Sequence, residues 1–210
     1  MSLADRSTRA QRISAAALAV TALAAILSQL TITIGDHPGM SVLGGLWINL
    51  RYFTILTNGI VAATFGYIAF SGRLVSAGWL TGVTLWIAIV GVVYHLLLAD
   101  FAGKSRLGLI TDHGLHTVVP AATAMWWLFL APKRALQWRL ALWWLLWPAG
   151  YLVYALIRAS MDGVYPYFFV NLPKLGWGGF AYWCAVLMVT FTVAGLGLIG
   201  LARALAPRRA

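Results

Sequence analysis

The sequence is built around six apolar runs, at roughly 13–34, 50–71, 76–98, 113–131, 138–158 and 178–201. Each approaches the ~20 residues that a helix needs to cross the hydrocarbon of a bilayer. Runs of this kind constrain the fold to helices, because in lipid every backbone N–H and C=O must find its partner inside the segment. The breaks between them are rich in glycine or charge: GDHPGMSVLGG, SGRLVSAG, ADFAGKSRLGLITD, APKRALQ and ASMDGVYPYFFVNLPKLG. Composition points the same way. The chain is 61% hydrophobic and 10% charged, against about 25% charged in a soluble domain. The polar residues are too few to cover a soluble core. The expectation is a single all-α integral membrane domain over residues 1–210, a polytopic membrane protein with six transmembrane helices.

Charge gives the orientation. Arg6, Arg9 and Arg12 precede the first run as they would in a signal peptide. Its apolar part of about 22 residues exceeds the roughly 7–15 of a cleaved signal, so it is read as a retained helix. Six crossings place both ends on one side, together with Arg6, Arg9, Arg12, Arg73, Lys133, Arg134, Arg139, Arg203, Arg208 and Arg209. The opposite side holds Arg51, Lys104, Arg106, Arg158 and Lys174. Excess Lys and Arg mark the cytoplasmic face, so both termini are expected in the cytoplasm. The net charge of +10 lies in short clusters between apolar runs. That pattern belongs to membrane flanks, and no nucleic-acid partner is expected. Cys184, the one cysteine, allows no internal disulfide.

With this topology the titratable residues gather on the outer side. His37 falls in the first outer loop, and Arg51 and Thr54 open the second run. His95 lies one turn from the outer end of the third, and Asp112, His113 and His116 open the fourth. Ionisable groups sharing a depth on several membrane helices mark a site by default. At 1.5 Å per residue, Thr54 and His116 each sit about 5–6 Å inside their helix starts. Asp112 and His116, at i and i+4, share a face; so do Arg51 with Thr54 and Thr54 with Asn58.

A hydroxyl at the depth of an imidazole fits nucleophilic acyl transfer: the imidazole takes the hydroxyl proton, the oxygen attacks a carbonyl, and a third group orients the imidazole. Asp112 is the candidate third group. The Asn58 amide, or a free backbone N–H at a helix start, is a candidate for the oxyanion. Arg51 reads either as snorkelling to the interface or as holding the carboxylate of a lipid acid. Thr57 is the rival nucleophile. The bland readings stand beside these, since a threonine or lone histidine in a membrane helix usually packs or bonds its own backbone. Trp126, Trp127, Trp143, Trp144 and Trp147 read as anchors and packing, and Tyr165 to Phe169 as an interfacial aromatic belt that could also cap the site. His95, His113 and His116 could instead hold a metal or a haem. A transporter is the third reading, but no internal repeat is apparent, and deep polar residues to line a path are lacking in the cytoplasmic half.

Three motifs in order carry a resemblance. Gly44-Gly45-Leu46-Trp47 leads to Arg51-Tyr52-Phe53-Thr54, His113 to Pro120 reads HGLHTVVP, and Val164 to Tyr167 reads VYPY. In order and spacing they resemble the androgen-induced-protein family of multipass membrane hydrolases and its bacterial relatives. The resemblance implies a threonine hydrolase that cleaves fatty acid esters of hydroxy fatty acids. It places the nucleophile at Thr54 and its histidine partner at His116. The implied substrate is a lipid ester entering from the bilayer, with membrane lipids as the surroundings and no cofactor or metal. Asp112, Asn58, Arg51, His113, His95 and Tyr165 are assigned from the residues alone.

Overall fold

The computed structural model describes residues 6–100, 102, 104–133 and 136–206. Arg134, Arg208 and Arg209, three of the cations used to orient the chain, lie outside the described residues. The single domain expected over 1–210 comprises two compact units, Met1–Pro132 and Lys133–Ala210. Among the described residues there are helices and turns but no strand.

The first unit contains α1 (Arg9–Gly35), α2 (Val42–Asn49), α3 (Phe53–Ser71), α4 (Ala77–Val93), α5 (Arg106–His113) and α6 (Val119–Leu130). Two single π-helical turns interrupt the pattern: Tyr94–Leu98 extends α4, and Gly114–Val118 joins α5 to α6. Short polar residues start the helices. Thr8 and Gln11 form a reciprocal capping box at α1, and Ser41, Ser76 and Ser105 accept an amide of the first turn of α2, α4 and α5. Each relieves one orphan donor of its helix.

Helix ends also satisfy one another. The Arg12 guanidinium donates to the Ala69 carbonyl at 3.1 and 3.2 Å, and Gln11 Nε2 donates to the Leu130 carbonyl at 2.7 Å. The start of α1 therefore lies beside the ends of α3 and α6, so α1 runs antiparallel to both. Trp126 and Trp127 do more than pack. Their Nε1 atoms donate to Ser14 Oγ and Thr81 Oγ1, each at 2.9 Å. Thr81, Thr84 and Thr123 are buried, and each hydroxyl donates to its own helix one turn earlier. These three hydroxyls are thus satisfied within their own helices, as apolar surroundings require.

Among the described residues, five helices are long and apolar enough to cross a membrane: Arg9–Gly35, Phe53–Ser71, Ala77–Leu98, Leu140–Asp162 and Leu172–Ala204. The fourth expected span is not among them. Its residues belong to a helical run from Arg106 to Leu130 whose first half carries Asp112, His113 and His116 and turns through the π segment. The first outer loop also differs from expectation, because eight of its residues form α2, packed against α1.

The second unit contains α7 (Leu140–Trp143), α8 (Leu146–Asp162), a 3-10 turn at Phe168–Val170 and α9 (Leu172–Ala204). Gly176, at φ 64° and ψ 173°, kinks α9, a left-handed backbone state open chiefly to glycine. The apolar run expected from 178 begins just past that kink. Tyr167 stacks on Phe169 at 5.0 Å, and Phe168 meets Trp183 edge-on at 5.3 Å. The YPYFF stretch is thereby built into the packing of this unit. Arg158, placed on the outer side by the charge count, is 2% exposed and donates to the Tyr154 hydroxyl at 3.0 Å.

Candidate functional site

The site lies within the first unit, where the start of α3, the π turn of α4 and the π turn before α6 meet. The second π turn has a sequence cause. The Val119 N–H bonds to the Gly114 carbonyl, one residue further back than in an α-helix. Continued for one more residue, that register would use the N–H of position 120, but residue 120 is proline and has none. The Leu115 carbonyl is left for another donor, and Asn58 Nδ2 supplies it at 3.3 Å. The same nitrogen donates to the Thr54 carbonyl at 2.9 Å. One amide thus ties the turn carrying Thr54 to the turn carrying His116. Ile55 and Leu115 pack together with Ala25 beside that tie. The second and fourth apolar runs are therefore in contact. The Asn58 amide, the oxyanion candidate, spends its hydrogens here on these two backbone carbonyls.

Asp112 and His116 meet as their spacing implies. Asp112 Oδ1 lies 3.1 Å from His116 Nδ1, and the Asp112 backbone carbonyl lies 3.0 Å from the same nitrogen. Two acceptors on Nδ1 fix the tautomer: Nδ1 carries the proton and Nε2 keeps its lone pair. Nε2 makes no hydrogen bond among the described residues. The other carboxylate oxygen, Oδ2, accepts from Lys104 Nζ at 2.7 Å and from the Tyr94 hydroxyl. The Tyr94 ring lies parallel to the His116 ring, 3.8 Å between centroids and 13° between planes. Gly91 allows this approach. A Cβ there would stand 3.0 Å from the His116 carbonyl oxygen and 3.2 Å from Pro120 Cβ.

The remaining expected residues separate. Thr54 is half-buried at the start of α3, whereas Thr57 is 0% exposed and closed to any substrate without movement. Arg51 is 5% exposed, in the turn between α2 and α3. His95 is exposed, with Nε2 2.9 Å from Thr117 Oγ1, and His113 is exposed. His37 Nδ1 lies 2.8 Å from the Thr33 carbonyl oxygen, a bond within its own helix end. Tyr165 is half-buried in the second unit. Among the described residues no group of three or more His, Cys, Asp or Glu side chains is placed to hold a metal ion. His116 lies against Asp112 and Tyr94, and His95 against Thr117.

Sequence reasoning missed Tyr94 and Lys104. Tyr94 looked like one more aromatic of an apolar run. Lys104 looked like a loop cation. Pro120, inside an otherwise helical run, was the signal for the π turn, because an internal proline disrupts helical bonding. The chain matches no protein-family model, no curated protein and no solved structure.

Proposed function

We propose that the chain is an integral membrane hydrolase of lipid esters, with Thr54 as nucleophile and His116 as base and then acid. The observation that carries this reading is the His116 imidazole. Its Nδ1 is held by Asp112 and its Nε2 is left without a partner. Leu115, the next residue, is tied to the Thr54 turn through Asn58. An imidazole oriented through Nδ1 with Nε2 open is one part of what a histidine base needs; the other is the Thr54 hydroxyl delivered to Nε2 in the substrate complex.

Thr54 Oγ attacks the ester carbonyl carbon and gives its proton to His116 Nε2. The tetrahedral oxyanion collapses, the C–O bond to the leaving alcohol breaks, and the alcohol oxygen takes the proton from Nε2. Water then attacks the acyl-threonine and passes a proton to Nε2. The free acid departs as Thr54 Oγ recovers that proton. Asp112 keeps the imidazole oriented. Arg51, three residues from Thr54 and 5% exposed, is assigned to a free carboxylate of the lipid acid, which reaches it only with local movement. The resemblance read from the three motifs specifies the substrate as a fatty acid ester of a hydroxy fatty acid. In the same reading the helical run Arg106–Leu130 completes six crossings, both termini are cytoplasmic, and the site faces the extracytoplasmic leaflet of a bacterial inner membrane.

A fluorophosphonate probe on purified wild type and Thr54→Ala tests the nucleophile. Labelling of wild type and none of Thr54→Ala is expected, with ester hydrolysis lost in parallel. Labelling that survives the substitution would move the nucleophile elsewhere, with Thr57 the next position to change. Unimpaired hydrolysis by His116→Ala would remove the base.

A further inference from the structure

We propose that Tyr94 is a positioning residue for the Asp112–His116 pair, and that Lys104 completes the same clamp from the segment before α5. The proposal deepens the hydrolase reading and rests on it for the role of His116. Tyr94 is 6% exposed at the end of an apolar helix, where a phenol hydroxyl needs an acceptor. It finds one in Asp112 Oδ2, which also accepts from Lys104. The two carboxylate oxygens therefore divide the work: Oδ1 faces the imidazole and Oδ2 is anchored. Turning Oδ1 away from His116 breaks both bonds at Oδ2. The Tyr94 ring constrains the imidazole in the remaining direction by lying flat against it at 3.8 Å. Lys104 Nζ, 3.4 Å from the Tyr94 hydroxyl oxygen and 5.8 Å from its ring centroid, closes the cluster.

The placement depends on the two π turns. Tyr94 is the first residue of one, with the Ala99 N–H bonded to its carbonyl at 2.8 Å, and His116 sits in the other. π turns inserted in α-helices recur at functional sites. Around the imidazole, the titratable and charged groups are Tyr94 and His95 from α4's π turn, Lys104 from the loop, and Asp112 and His113 on its own helix. Asp100 lies in the same loop. From α1 and α3, Ala25, Ile26, Ile55 and Asn58 meet this turn, as does Tyr52, the titratable residue just before α3.

Tyr94→Phe keeps the ring and the stack and removes only the hydroxyl, so it separates positioning from packing. Purified full-length protein in detergent is assayed for ester hydrolysis, and the ¹⁵N signals of its histidines are followed across a pH titration. The expected result is kcat lower by about tenfold, part of the ~10²–10⁴ that general acid–base catalysis contributes, with KM within about twofold. The His116 titration midpoint should move by about half a pH unit or more, and Lys104→Met should also move it. In an Asp112→Asn background, Tyr94→Phe should add little, as expected of residues acting as one unit. An unchanged His116 titration together with an unchanged kcat in Tyr94→Phe would overturn the clamp. If Thr54 takes no probe while the His116 titration still moves, the hydrolase reading fails and the clamp stands.

Discussion

At the scale of single residues, the division of labour on His116 gives a quantitative expectation. Both the Asp112 carboxylate and the Asp112 backbone carbonyl lie within 3.1 Å of Nδ1. Asp112→Asn therefore leaves an acceptor that still fixes the tautomer. Its kcat should fall by about 10–100-fold, well short of the ~10⁴ seen where the carboxylate alone holds the imidazole. A loss near 10⁴ in steady-state kinetics would mean that the backbone carbonyl does not hold the ring. The pairing of Asp112 with His116 was legible from their i, i+4 spacing. The Tyr94 contact was not, because nothing in the sequence says which residue of α4 faces residue 116.

At the scale of elements, Pro120 and Gly91 should behave differently. Pro120→Ala restores an N–H that can bond the Leu115 or His116 carbonyl, so it competes with Asn58 and draws the π turn back toward α-helical register. Activity should fall while thermal stability in detergent holds or rises, since proline inside a helix costs about 3 kcal/mol. Retained activity would separate the π turn from function. Gly91→Ala places a methyl against the His116 carbonyl and Pro120. Overpacking of this kind costs about 1–3 kcal/mol, and both melting temperature and kcat should drop. Wild-type values for both would show that α4 can shift freely. The apolar runs were legible as helices from length and hydropathy. The π turns were not, because they depend on which backbone donor is missing and on what faces the freed carbonyl. Nor was α2, whose VLGGLWIN reads as a glycine-rich break until it packs on α1.

At the scale of the whole molecule, the proposed orientation can be read by labelling. In a Cys184→Ser background, His37→Cys should react with a membrane-impermeant maleimide added outside intact cells, and Arg73→Cys only after the membrane is opened. The reverse pattern would invert the topology. Within the first unit, Arg12 caps α3 from one end while the Tyr94–Asp112–His116 cluster sits at the other. The cations of the first helix and the candidate site thus occupy opposite ends of these helices. The sequence by itself determined that the chain is helical and lipid-suited, because bilayer-length apolar runs leave the backbone few other ways to satisfy its polar groups. It also placed Asp112 and His116 on one face through the period of the helix. Only the tertiary structure decided that Asn58 joins the Thr54 turn to the His116 turn, that Arg51 and Arg158 are buried, and that Tyr94 and Lys104 close on Asp112. The Asn58 and Tyr94 contacts join different helices. They follow from how the helices pack, which local periodicity leaves open.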